Sequence, residues 1–159
     1  MSLAQDLLEQ AEHLIDWDGA DPKQASLRRS VSTAYYALFH LLIDEAVSNW
    51  GIARHRGKLA RTFEHGSMKR VCDDCVQSFY KAGEPPSQLP LKEVAQTFSE
   101  LQSMRHTADY DNSYTWTKAD AREWIVETGT AFTYWGGIRT QDESQDFLLS
   151  LFLPKLNRP

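Results

Sequence analysis

The chain has 159 residues, 42% of them apolar and 25% charged, with a formal net charge of −5. That length supports one domain with a buried core and leaves little room for two. No run of about eighteen apolar residues is present, which argues against a helical membrane span, and the acidic balance argues against a general nucleic-acid coat protein.

The first residues carry no basic stretch followed by a long apolar one, so no export signal is read and a cytoplasmic location is expected. Leu7, Leu8, Ala11, Leu14 and Ile15 recur at helical spacing and predict a helix over 3–15. Asp21 and Pro22 read as the cap and first residue of a second helix, which runs without Gly or Pro to about Trp50. Two apolar sets lie on this helix. Leu27, Val31, Ala34, Tyr35, Leu38, Leu41 and Leu42 share one face, and Tyr36, Phe39, Ile43, Val47 and Trp50 nearly the opposite one. A helix apolar on both sides needs cover on both sides, from a further helix or from a second subunit.

A third helix is expected in two parts, 58–64 and 67–80, with Gly66 as the break and Ser67 as a cap. Residues 81–87 read as a loop. A fourth helix opens near Pro90 and runs to about Tyr110. Thr117 caps a fifth that ends at Gly136 and Gly137, and a short apolar segment over 147–153 is closed by Pro154. The pattern predicts an all-α protein, a bundle of five or six helices over 1–140 with short connections, followed by a tail over 141–159.

Charge is unevenly spread. Arg54, Arg56, Lys58, Arg61, Lys69 and Arg70 face a single carboxylate, Glu64, which gives that stretch +5 and leaves about −10 for the rest. Such a strip can meet phosphates by releasing counterions, or it can be a solvated connection. Cys72 and Cys75 form a lone Cys-x-x-Cys without the second ligand pair a structural zinc needs, so they read as structural or incidental thiols. The five histidines show no metal spacing, and neither a metal nor a cofactor is expected.

On the fourth helix Val94, Phe98, Leu101 and Ala108 form the apolar stripe, and Arg105 lies within it. A guanidinium there requires a partner, an escape to water at the bundle's end, or a site to serve. Asp109, one turn on, is the first candidate partner. Arg29, Tyr36 and His40 share an edge of the second helix, as a binding set or as an ordinary helix contact. Arg61 and His65 sit one turn apart beside the basic strip, where an imidazole could move a proton next to a phosphate held by arginine.

The run from Ala25 to His40, with its core Tyr35-Tyr36-Ala37-Leu38-Phe39-His40, resembles the signature helix of HEPN domains. Arg105-His106-Thr107-Ala108-Asp109-Tyr110-Asp111 resembles the later Arg-x-x-Ala-Asp-Tyr-Asp segment of the same branch. The resemblance covers about residues 3–135. It implies a four-helix antiparallel core, frequent homodimers and RNA- or nucleotide-related roles, some of them in toxin–antitoxin pairs with small nucleotidyltransferases. It directs attention to Arg105, Asp109 and Tyr110 as binding residues. Active HEPN ribonucleases carry a histidine five to seven positions after the arginine, where this chain has Tyr110, Asp111 and Asn112. The expectation is therefore a module that binds RNA, a nucleotide or a partner protein. The alternatives are a metal-independent endoribonuclease using Arg105 with His65 or His106, and a purely structural subunit.

Overall fold

The computed structural model describes residues 1–82 and 88–153, and among them the chain forms seven helices and no strand. These are α1 (Leu3–Asp16), α2 (Gln24–Ser48), α3 (Ala53–Ala60), α4 (His65–Ala82), α5 (Leu89–Tyr110), α6 (Lys118–Ile138) and α7 (Asp142–Phe152). The all-α bundle expected from the hydrophobic spacing is the fold observed. Residues 83–87 of the expected loop and Pro154 lie outside the described residues.

Local chemistry explains several boundaries. Ser2 Oγ accepts from the Gln5 backbone N–H at 3.2 Å while Gln5 Oε1 accepts from the Ser2 N–H at 3.0 Å, a reciprocal cap that starts α1. Gly19 turns the chain between α1 and α2 at φ +68°, a conformation that costs a side chain with a Cβ. Thr117 caps α6 as predicted, its Oγ1 accepting from the Asp120 N–H at 3.1 Å.

Three boundaries differ from the sequence reading. α2 begins at Gln24 with Lys23 as its extended N-cap, because Asp18 Oδ2 accepts the Lys23 N–H at 3.0 Å and holds the preceding turn open. The break before α4 falls at 61–64 rather than at Gly66, which lies inside α4. Phe63, in the connection between α3 and α4, packs its part-buried ring 4.9 Å from Phe152 of α7, and Ser67 becomes a buried first-turn residue of α4. α6 runs through Gly136 and Gly137 to Ile138, since Trp135 and Ile138 are both buried and burial on either side carries the helix onward.

α2 is the axis of the bundle and packs against α1, α3, α5, α6 and α7. Its first half joins Ala11 and Ile15 of α1, Ala108 of α5 and Ala121 and Ile125 of α6 in one core around Trp116. Its second half joins the start of α5, the end of α6, α4 and α7 in a larger core. The ends of α5 and the start of α6 meet the same half of α2, so α5 runs antiparallel to α2 and α6 parallel to it. Both faces of α2 are covered within the chain. Phe39, Ile43 and Val47 of the second apolar set are buried with Phe147, Leu148 and Leu151 of α7, while Trp50 remains exposed. Each such side chain contributes about 1.5–3 kcal/mol on burial. No helix among the described residues is long and apolar enough to cross a membrane.

Candidate functional site

On α5, Leu101 belongs to the larger core and Ala108 to the smaller. Arg105 stands between them, 8% exposed, in the seam where the two apolar clusters meet. Its Nη1 lies 3.5 Å from Asp109 Oδ2 and its Nη2 donates to Gln102 Oε1 at 3.1 Å. The guanidinium carbon sits 5.2 Å from the centre of the Tyr35 ring and 6.0 Å from that of Tyr36. An aromatic floor of this kind attracts a cation through the ring quadrupole and replaces part of the lost hydration. Nε is buried without a hydrogen-bond partner. Asp109 also accepts from Ser32 Oγ at 3.4 Å, tying α5 to α2.

Tyr35 carries the seam to α4. It is fully buried, and its hydroxyl lies 2.6 Å from Nδ1 of His65, the first residue of α4. Burial pushes the phenol well above its ordinary range, with Arg105 opposing the shift. The phenol keeps its proton, and His65 Nδ1 is the acceptor its buried O–H reaches among the described residues, which places the ring proton of neutral His65 on Nε2. The imidazole is stacked on Phe39 at 4.4 Å and meets Tyr36 edge-on at 5.8 Å. Burial first, then the charges of Arg105 and His40, hold its pKa below the usual histidine range.

The structure thus brings together residues distant in sequence: Tyr35 and Tyr36 of α2, His65 of α4, and Arg105 and Asp109 of α5. Arg29, Tyr36 and His40 face a groove of about 520 Å³ between α1 and α2, so Tyr36 belongs to both sets. His106 is exposed and pairs its ring with that of exposed Tyr110 at 5.0 Å, on the outer side of α5. Arg61 is exposed at the end of α3, and no hydrogen bond, ion pair or ring contact links it to His65 or Arg105. Cys72 and Cys75 are free thiols whose pKa values burial raises, Cys75 to about 11.

Two participants were not singled out from the sequence. Tyr35 reads as one more apolar position until its hydroxyl is placed. Arg28 donates to the carbonyls of Ala108 at 3.0 Å, Asp111 at 2.9 Å and Tyr114 at 2.6 Å, and so closes the open end of α5. It joins the two sequence segments that carry the HEPN resemblance, and their coexistence was the only available signal.

The chain matches no family model, no curated protein and no solved structure.

A second cluster of charge lies outside the seam. Arg54, Lys58 and Arg61 stand at i, i+4 and i+7 of α3 and its cap, within about 60° of one another around the axis. All three are exposed, and none has a carboxylate partner among the described residues. Arg56 faces the other way, its Nε donating to the Trp50 carbonyl at 2.9 Å.

Proposed function

We propose that this chain is a HEPN-like RNA-binding module, cytoplasmic and homodimeric, that holds the phosphate backbone on the outer face of α3 and does not cut it. The observation that carries the reading is the row of Arg54, Lys58 and Arg61, three cations on one stripe with no carboxylate partner among the described residues of a protein whose net charge is −5. Surface cations in an acidic protein ordinarily lie near carboxylates. A row without them is suited to a polyanion, whose condensed counterions it displaces.

The internal seam supports a structural role for the family-like arginine. Arg105 is enclosed by Asp109, Gln102 and two tyrosine rings, which leaves little of it for a substrate phosphate. His65 presents Nε2–H while Tyr35 occupies Nδ1, so acting as a general base would require it to give up that arrangement.

The test is fluorescence anisotropy with a labelled RNA at low salt, comparing the natural chain with the K58E/R61E double variant. The expected result is binding that falls with salt at a slope of about −2 in log–log form, near 0.7 per phosphate contacted, and a large loss in the variant. Absence of binding, or equal binding by the variant, removes the reading. Sedimentation of the purified chain at twice its own mass is the outcome expected for the dimer.

One observation favours an endoribonuclease instead: Arg105 and His65 meet across Tyr35 although forty residues separate them. On that reading a fluorogenic RNA would be cleaved, and R105A or H65A would abolish the cleavage. The expectation here is no cleavage by any of the three.

A further inference from the structure

We infer that the RNA taken by α3 is single-stranded, with one base stacked on the indole of Trp50; this deepens the RNA-binding reading and rests on it. Trp50 follows the end of α2 and is 47% exposed. An isolated exposed tryptophan needs no explanation, but this one is held in place. Its backbone N–H donates to the Val47 carbonyl at 3.0 Å and its own carbonyl accepts from Arg56 Nε at 2.9 Å. The indole Nε1–H donates to His55 Nδ1 at 3.3 Å, which fixes the ring beside the first turn of α3. His55 is the neighbour of Arg54, so the indole lies at the N-terminal end of α3, to one side of the cation row and about 100° around the axis from Arg54. No aromatic ring or cation of the described residues covers its face.

The dimensions favour a strand over a duplex. At 1.5 Å per residue, Arg54 and Lys58 are separated by about 6 Å and Arg54 and Arg61 by about 10 Å along the axis. That is a straight track long enough for two or three successive phosphates. Recognition of an RNA duplex by shape spans about 16 base pairs and needs separated sets of contacts across its grooves. α3, with eight residues, is about 12 Å long. Paired bases offer no free face to an indole at the end of a phosphate track, whereas an unpaired base does.

The experiment uses a labelled single-stranded adenosine oligomer of roughly ten nucleotides, the same oligomer in a duplex, and inorganic polyphosphate as a competitor without bases. The natural chain is compared with W50A, W50F and K58E/R61E, each shown by circular dichroism to retain its helices. The expected result is a 5- to 100-fold loss of single-strand affinity in W50A, the size of one base–aromatic stack, with most affinity retained in W50F. Competition by polyphosphate is unchanged by W50A, and K58E/R61E loses both ligands. Equal oligomer binding by W50A and the natural chain, or a duplex bound as tightly as the single strand, overturns the inference while leaving the basic-row reading in place. Undiminished binding by K58E/R61E removes that reading itself.

Discussion

Arg105 and Arg61 are both arginines near a histidine in sequence, and the fold treats them in opposite ways. Arg105 is enclosed at the seam between two apolar cores, its charge met by Asp109, Gln102 and the faces of Tyr35 and Tyr36. Arg61 stands in solvent at the end of a short helix with two like charges along the same stripe. The first is a cation that the protein has already neutralised. The second belongs to a row left for something outside. A charge close to a candidate base is thus no measure of availability; the partners decide it.

The contrast can be broken most directly at the seam. Arg105→Ala would leave Asp109 facing the boundary of the cores and remove the cation from both tyrosine rings. The expected cost is about 3 kcal/mol, at the low end for breaking a buried pair because Asp109 keeps water contact. Urea unfolding measures it, and a loss below about 0.5 kcal/mol, the size of an ordinary surface change, would show that the seam does not depend on its arginine. Arg28→Ala should follow, at about 2 kcal/mol, since the Ala108 carbonyl in the last turn of α5 and those of Asp111 and Tyr114 after it lose a charged donor and only part of that is recovered from water.

The next test is pH. His65 has a folded pKa below its unfolded value of about 6.5. The unfolded chain therefore takes up the proton first. The stability associated with His65 is fully present above that unfolded value and is lost as pH falls toward the lowered folded one. Protonation also removes the acceptor for Tyr35. His65→Gln should flatten the fall in melting temperature between neutral and acid pH, and parallel curves for the two proteins would count against the assigned network. The other histidines are common to both proteins and cancel in the difference. The smallest effect belongs to the exposed row: R54A/K58A/R61A should change stability by no more than about 0.5 kcal/mol while weakening RNA binding. A large destabilisation would mean that those cations serve the fold.

Much of this architecture was legible beforehand. Helical spacing of Leu7, Ala11 and Ile15, the long uninterrupted stretch before Trp50 and the Thr117 cap correspond to α1, α2 and α6. The misplaced boundaries share a cause. Gly66, Gly136 and Gly137 read as breaks from a local preference, but Phe63 packs part-buried against Phe152 in the connection before α4, and buried Trp135 and Ile138 carry α6 onward. Within the site, Arg105 and Asp109 were visible because an ion pair one turn apart on a helix is a local fact. Tyr35 with His65, and Arg28 with the end of α5, were not, because those contacts join different helices.

The amino-acid sequence by itself determined that this protein is a helical bundle, that α2 is apolar on two sides, that Arg105 interrupts an apolar stripe, and that cations gather near residue 60. These are consequences of periodicity and composition, which act over a few residues. Only the tertiary structure decided that α7 helps cover the second face of α2, that Arg105 lies where two cores meet, and that Arg54, Lys58 and Arg61 have no carboxylate partner among the described residues while Trp50 stays exposed. Burial and pairing depend on which helices meet, and chain spacing does not contain that information.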